Sequence, residues 1–267
     1  MTDISVPCWN DVDIEELCNG VRLIAFDLDN TLARSKKPMK DDMAECFSAL
    51  TSLIDVAVIT GGKYALLKSQ VVERLTGQAN RSHLHLMPTS GTRYYRWGGS
   101  DWAPVFAHDL SADDRAKAYE SLERNAREQG IWLTHVWGER IEDRGSQITF
   151  SALGSLRPSK PRRRGIQPTR RRIVWHERLP PIYRIWRYGR AAPAASISPK
   201  KRRQVVRCSR IGRYSRHYGG ADCFVGDRMD PDGNDYPAAK AGTRAVKVTC
   251  PNDTVKLCGG IIASLSR

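Results

Sequence analysis

Short apolar runs alternate with segments of helical spacing over residues 21–75. Residues 21–27 (VRLIAFD) and 55–60 (DVAVIT) are continuous apolar runs, which are typical of buried strands. Residues 40–54 and 63–75 instead carry their apolar side chains at helical spacing. This alternation of strand and helix predicts a parallel sheet of the doubly wound kind, and therefore an α/β fold.

The rest of the chain adds further elements to this pattern. A helix is predicted over residues 111–129, with Ser111 as its N-cap and acidic residues in its first turn. Strand-like patterns are predicted at residues 83–96, 223–226 and 243–249, and two strands about a turn at Gly145 are predicted at residues 141–153. One more helix is predicted to begin near residue 253. No internal repeat is found.

Acidic residues follow two of the predicted strands. Asp27 and Asp29 lie in the stretch FDLDNTL, and the stretch GDRMDPDGND at residues 226–235 follows the strand at 223–226. In open α/β sheets, ligands bind at the carboxyl ends of the strands. Converging carboxylates are the ligands that a hard cation such as Mg²⁺ requires. An isolated acid pair after a strand is more often a solvated turn, so the second acidic stretch decides in favour of a site.

Three motifs together resemble a known family. FDLDNTL, VITGG and FVGDRMDPDGNDYPAAKAG resemble motifs one, two and four of the haloacid dehalogenase superfamily. The similarity is greatest to its IIB branch, which contains the Cof-like sugar phosphatases and the eukaryotic-type phosphomannomutases. IEDRGSQITFSALG resembles the cap of that branch. The resemblance covers residues 21–154 and 223–257.

The resemblance implies an architecture. We expect a Rossmann-like core with a parallel sheet, into which an α/β cap of the C2 type is inserted. The expected division is core at residues 1–85, cap at 86–190 and core again at 191–267.

The resemblance also implies catalytic roles. Asp27 would be the nucleophile that becomes an aspartyl phosphate, and Asp29 would be the general acid and base. Thr60 and the Gly61 amide would hold phosphate oxygens, although a Thr at a strand end also caps helices. Arg144 would contact the substrate from the cap, or would be a surface arginine of the cap.

A magnesium site follows from the same comparison. The side chains of Asp27 and Asp227 and the carbonyl of Asp29 would bind Mg²⁺, and Asn234 and Asp235 would support the metal shell. Mg²⁺ would neutralise the phosphoryl group during attack.

The charge of the chain is concentrated in one window. The 267 residues carry a net charge of +14, but residues 155–222 alone hold 20 Lys and Arg against 2 Asp and Glu. The remaining chain is mildly acidic. Such a window favours phosphate backbones and suggests a nucleic-acid-binding protein, but it contains no recognisable binding module and no regular stacking pattern.

The window stands where the family has half of its cap and its motif-three lysine. No stretch of residues 155–222 matches a KGxDKxxG-like sequence, and no helical or strand periodicity is evident there. Reading the possible codons in shifted frames yields strings that resemble the missing cap strands and DKxxG, in order. We therefore interpret the window as a frameshift product and expect it to be irregular, leaving the chain poorly folded and weakly active or inactive.

The predicted function is a Mg²⁺-dependent phosphohydrolase that acts on a small phosphorylated metabolite, namely a sugar phosphate. A phosphomannomutase is the alternative, weakened because Ser155 follows Gly154 where the mutases place an arginine.

Seven scattered cysteines, no CxxC pair and an acidic first segment predict a cytoplasmic protein. No apolar run is long enough to span a membrane, and no specific nucleic-acid partner is expected. The oligomeric state does not follow from the sequence.

Overall fold

A computed structural model describes residues 4–156, 183–188, 194–199, 223–231 and 233–267 of the chain. These residues fall into two compact units. The first comprises the described residues up to Ala107 together with those from Cys223 onward, and the second comprises the described residues between His108 and Pro199.

A seven-stranded sheet forms the centre of the first unit. Its order is β11-β10-β1-β2-β3-β4-β5, and the first five strands in this order run parallel. The strands are β1 (Leu23–Asp27), β2 (Asp55–Ile59), β3 (Leu84–Met87), β4 (Arg93–Trp97), β5 (Trp102–Ala107), β10 (Cys223–Gly226) and β11 (Arg244–Lys247). The parallel sheet predicted from the alternation of strands and helices is confirmed.

Helices cover this sheet, and β1 is buried along its whole length. The helices of this unit are α1 (Ile14–Cys18), α2 (Asp41–Leu53), α3 (Tyr64–Gln70), α5 (Tyr236–Ala239) and α6 (Pro251–Leu265). Short 3-10 turns cover Trp9–Asp11, Val72–Arg74 and Arg81–His83, and a helical turn at Pro88–Gly91 is interrupted by left-handed Thr89 and Ser90. Ile24 and Phe26 of β1 join the core beneath α2 and α6, whereas Leu23 and Ala25 join the core on the opposite face. β1 is therefore buried on both faces, as in other parallel sheets.

The strands β4 and β5 extend the first unit beyond residue 85, where the sequence places the start of the cap. Both strands are antiparallel and add to the edge of the core sheet at β3. Pro104 lies within β5, at a position that only an edge strand tolerates well.

The second unit combines one helix with an antiparallel sheet. Helix α4 (Ala112–Glu128) packs through Ala118, Leu122 and Ala126 against Ile148 and Phe150. The sheet has the order β6-β7-β9-β8, with β6 (Ile141–Asp143), β7 (Ile148–Ser151), β8 (Tyr183–Tyr188) and β9 (Ala194–Pro199).

Two of these strands correct an expectation about residues 155–222. The whole window was expected to be irregular, but β9 pairs with both β7 and β8. The sequence of β8, YRIWRY, is rich in aromatic and β-branched residues, which favour strands. Apart from Ser155 and Leu156, the rest of the window lies outside the described residues.

Membrane-spanning segments are not seen among the described residues. None of their helices combines the length and the apolar character needed to cross a bilayer.

Candidate active site

The turn after β1 presents the first acidic side chain. Asp27 is the last residue of β1 and is only 7% exposed. The chain then folds tightly, because the Leu28 carbonyl accepts hydrogen bonds from the amides of Thr31, Leu32 and Ala33 at 3.3, 3.0 and 3.1 Å. This turn fixes the Asp27 side chain at the carboxyl end of the sheet, where open α/β folds bind ligands.

The loop after β10 presents two more carboxylates. Asp227 directly follows β10 and is half-buried, whereas Asp235 is fully buried. Both carboxylate oxygens of Asp235 accept a hydrogen bond, one from the Arg228 amide at 3.1 Å and one from the Asn234 side-chain amide at 2.9 Å. The Asp235 amide donates in return to the Arg228 carbonyl at 3.2 Å. These bonds hold the loop closed and fix the direction of the Asp235 carboxylate.

The two turns bring three carboxylates together. One oxygen from each of Asp27, Asp227 and Asp235 lies within 4.8 Å of the other two. Three carboxylates at this spacing repel one another unless a cation lies among them. Oxygen donors of this kind are the ligands of Mg²⁺, so the side chains present fit this ion.

The electrostatics of the cluster point in the same direction. Burial raises the pKa of Asp27 well above its ordinary value, and the charges of Asp235, Asp227 and Asp29 raise it further. Burial also raises the pKa of Asp227, although the Arg228 guanidinium and a hydrogen bond from Asn30 oppose this. The cluster therefore disfavours its own negative charge and would be stabilised by a bound cation.

The turn after β2 adjoins this edge of the sheet. The Thr60 hydroxyl accepts a hydrogen bond from the Gly62 amide at 3.1 Å. The Thr60 amide donates to the Met87 carbonyl at 3.2 Å, and the Thr60 carbonyl accepts from the Ser90 amide at 2.7 Å. Thr60 thus orders the glycine turn, whereas α3 begins after Lys63 without a side-chain cap. A Cβ on Gly61 would meet only the Ser90 hydroxyl, at 3.8 Å.

Comparison with known proteins gives a fold but no relative by sequence. No protein-family model matches the chain, and no curated protein matches it. Among solved structures, an IMP-bound, N-terminally truncated IMP-nucleotidase of Plasmodium falciparum matches with a TM-score of 0.65 and 14% identity, over 94% of this chain and 70% of that one. A trehalose-6-phosphate phosphatase of Aspergillus fumigatus matches with a TM-score of 0.56 and 13% identity, over 97% of this chain and 100% of that one. One neighbour is named as a nucleotidase and the other as a phosphatase.

The chain shares the α/β fold of these two enzymes. The α/β fold with a mostly parallel sheet, which the sequence predicted, is confirmed, because the neighbours match 94% and 97% of this chain. Membership of the IIB branch stays a prediction.

Asp29 is the second acid of the stretch FDLDNTL. It is half-buried, and its carboxylate accepts a hydrogen bond from the Lys36 amide at 3.1 Å. It does not join the three-carboxylate cluster within the described residues, although its charge acts on Asp27. Its backbone forms a bridge with Ala33. Asp29 therefore stands outside the cluster but close enough for its charge to act on Asp27.

Arg144 has a local partner in the second unit. Its guanidinium donates two hydrogen bonds to Glu142, at 3.1 and 2.7 Å, and both side chains are 21% exposed. Its amide donates to the Gln147 carbonyl at 2.9 Å, which closes the turn between β6 and β7. The structure thus assigns Arg144 an ion pair, and its substrate contact stays a prediction.

Two residues of the turn after Asp27 were not singled out from the sequence. Asn30 takes a left-handed conformation, with φ of 63°, and its side chain hydrogen-bonds Asp227. Thr31 is fully buried, and its carbonyl accepts a hydrogen bond from the Thr254 hydroxyl at 2.7 Å. Asparagine tolerates a left-handed backbone better than most residues do. Its presence directly after Asp29 is therefore the sequence signal for a tight turn at this position.

Proposed function

We propose that the protein is a Mg²⁺-dependent phosphohydrolase acting on a small phosphorylated metabolite through an aspartyl-phosphate intermediate. The observation that carries this proposal is the cluster of Asp27, Asp227 and Asp235 at the carboxyl edge of a haloacid dehalogenase fold. The comparisons support it, because both structural neighbours are phosphatases or nucleotidases by name.

The side chains of the site divide the chemistry between them. Asp27 would attack phosphorus, because it lies at the strand end and contributes to the cluster. Asp29 would protonate the leaving group and later take a proton from water, since it stands next to the cluster but outside it. The Thr60 hydroxyl and the Gly61 amide would orient phosphate oxygens.

Mg²⁺ would be held by Asp27 and Asp227, together with the Asp29 carbonyl. The role of Asp235 would be either direct ligation or support of the metal shell, because its two oxygens already accept bonds from Arg228 and Asn234. When bound, the ion would supply positive charge that offsets the phosphoryl group. The spacing of the three carboxylates and their mutual repulsion support this assignment.

The substrate class that we propose is a sugar phosphate. One structural neighbour is named for trehalose 6-phosphate and the other for IMP, and each of these molecules is a phosphate ester of a sugar unit. Arg144 would contribute to substrate contact only by leaving Glu142. Phosphomannomutase is the less favoured alternative, because Ser155 follows Gly154 where the mutases place an arginine.

The source of the missing positive charge is a second part of the proposal. The charges that act on Asp27 among the described residues are carboxylates. We propose that the motif-three lysine of the family was lost through a frameshift across residues 155–222, so that activity would be weak. A cytoplasmic location remains our expectation for the protein.

The decisive experiment measures release of inorganic phosphate from an aryl phosphate, with Mg²⁺ and with a chelator. We expect weak release that needs Mg²⁺ and that is lost in Asp27→Asn. Asp230→Asn is the matched control, because Asp230 pairs with Arg228 in the same loop but stands outside the cluster. Equal release by wild type and Asp27→Asn would refute the proposal.

The frameshift is tested separately by sequencing the locus. Restoring the frame should reinstate a KGxDKxxG-like stretch and raise phosphate release in the same assay. If the present codons are confirmed and the purified protein is already fully active, the frameshift interpretation fails while the phosphatase assignment stands.

A further inference from the structure

Two cysteines face each other where α2 packs against α6. Cys46 lies on α2 and is half-buried, whereas Cys258 lies on α6 and is fully buried. The Cys46 thiol points at α6, because it donates to the Val255 carbonyl at 3.7 Å, one helical turn before Cys258. The two thiol groups also lie close enough for each to shift the pKa of the other. The chain thus places a pair of thiols in contact across two helices that are far apart in sequence.

The two thiols differ in the direction of their pKa shifts and in their exposure. The hydrogen bond from Cys258 lowers the pKa of Cys46, although burial opposes this, and the same contact together with burial raises the pKa of Cys258. Thiolates are the nucleophiles of thiol–disulfide exchange. Cys46 is therefore the thiol that would react first, and it is also the more accessible of the two.

Helix α6 also contacts the turn that follows Asp27. Thr254 precedes Cys258 by four residues, so the two side chains lie on the same face of α6. The Thr254 hydroxyl donates to the Thr31 carbonyl at 2.7 Å, and this bond is buried. A change at Cys258 therefore acts one helical turn away from a direct contact with the turn after Asp27.

We propose that Cys46 and Cys258 form a reversible oxidation site, which closes to a disulfide on reaction with a low-molecular-weight disulfide such as oxidised glutathione. The crosslink ties α6 to α2 and thereby restrains the turn at residues 28–33 through Thr254. Neither step depends on the phosphatase activity proposed above.

The chemistry balances without a further reagent. The Cys46 thiolate attacks one sulfur of the reagent, whose S–S bond breaks and releases one glutathione thiolate, which takes up a proton. The Cys258 thiol then loses its proton and attacks the Cys46 sulfur, which releases the second glutathione. The protein loses two hydrogen atoms and gains one S–S bond, and the reagent is reduced to two thiols.

The first test treats the full-length protein with oxidised glutathione and maps its seven cysteines by peptide mass. We expect one crosslinked peptide pair joining Cys46 to Cys258, which dithiothreitol reverses. The pair should disappear in Cys46→Ala and in Cys258→Ala but persist in Cys8→Ala, since Cys8 lies at the start of the first 3-10 turn and outside this contact. Because Cys46 is half-buried, its variant should fold even if the Cys258 variant does not.

Two mapping results would overturn the oxidation site. One is glutathione retained on Cys46 without closure, and the other is a crosslink from Cys258 to Cys223, whose charge also acts on it.

The second test follows amide hydrogen exchange at residues 28–33 before and after oxidation. We expect slower exchange in the oxidised protein. Thr254→Val should keep the disulfide but remove this slowing, because it removes the hydroxyl that bonds Thr31. Unchanged exchange after complete crosslinking would refute the link to the turn.

Discussion

Gly226 and Asp235 lie in direct contact, so closely that a methyl group on Gly226 would overlap the Asp235 carboxylate. Gly226 ends β10, and Asp235 directly precedes α5. The absent side chain lets Asp235 reach the cluster that it shares with Asp27 and Asp227. No side chain fits at position 226 unless Asp235 moves, so a substitution of Gly226 would disturb the carboxylate cluster.

Replacing Gly226 with alanine should displace Asp235 and weaken binding of Mg²⁺. Overpacking of this kind costs about 1–3 kcal/mol of stability. The measurement is the thermal shift produced by Mg²⁺ together with urea unfolding. Gly259→Ala is the matched control, because Gly259 lies inside α6 with open space around it. That change should stabilise the protein by about 0.5–1 kcal/mol. Full Mg²⁺ response in Gly226→Ala would contradict the spatial argument.

Asp27→Asn should stabilise the metal-free protein while abolishing phosphate release. The substitution removes one charge from a buried cluster in which Asp235, Asp227 and Asp29 all oppose the ionisation of Asp27. The expected gain is about 0.5–2 kcal/mol, the usual range for a single stabilising change. Urea unfolding in a chelator measures it, and added Mg²⁺ should stabilise wild type more than the variant. A variant less stable than wild type without metal would show that the repulsion is already relieved.

The parallel strands of the core were predictable because their apolar runs are continuous. β1 and β2 are buried on both faces, so they leave a signal that needs no knowledge of the partner strand. The acidic cluster followed from the same logic, since residues after parallel strands meet at one edge. The local sequence was therefore enough to predict the strands that are buried on both faces.

Other features depend on tertiary partners that the sequence does not show. β5 contains Pro104, which argues against a strand unless the strand is known to lie at an edge. The β8 strand lies in a window whose arginines obscured its pattern. The ion pair of Arg144 with Glu142 requires knowing that β6 turns back into β7. The contact of Gly226 with Asp235 likewise depends on how the loop closes.

Stability should fall as the pH drops through the ordinary histidine pKa, because of His85. This side chain is fully buried, and burial lowers its pKa below the usual 6.5 although Asp55 opposes this at 3.7 Å. Its other nitrogen contacts the Tyr94 hydroxyl at 2.7 Å, and the charges of Arg96 and His83 also act on it. Below pH 6.5 the histidine is protonated in the unfolded chain but stays neutral in the folded chain. The stability that His85 allows is therefore fully present above pH 6.5 and decreases below it.

Urea unfolding between pH 5 and 8 measures this dependence. His85→Gln should flatten it, whereas His83→Gln should reduce it only slightly, because the charge of His83 lowers the pKa of His85 less than burial does. The prediction fails if wild type and His85→Gln lose stability in parallel as the pH falls.

Arg144→Gln should destabilise the second unit more than it affects substrate binding. The Arg144 guanidinium makes two hydrogen bonds to Glu142 on β6, and the pair is four-fifths buried. A double-mutant cycle with Glu142→Gln should give a coupling of about 0.5–1 kcal/mol, near the upper limit for exposed pairs. If Arg144 instead binds substrate, Arg144→Gln should raise KM with little loss of stability, and Glu142→Gln should not. The ion pair changes the free energy of unfolding, whereas a substrate contact changes KM. Measuring both quantities on wild type, the two single variants and the double variant therefore decides between the two roles.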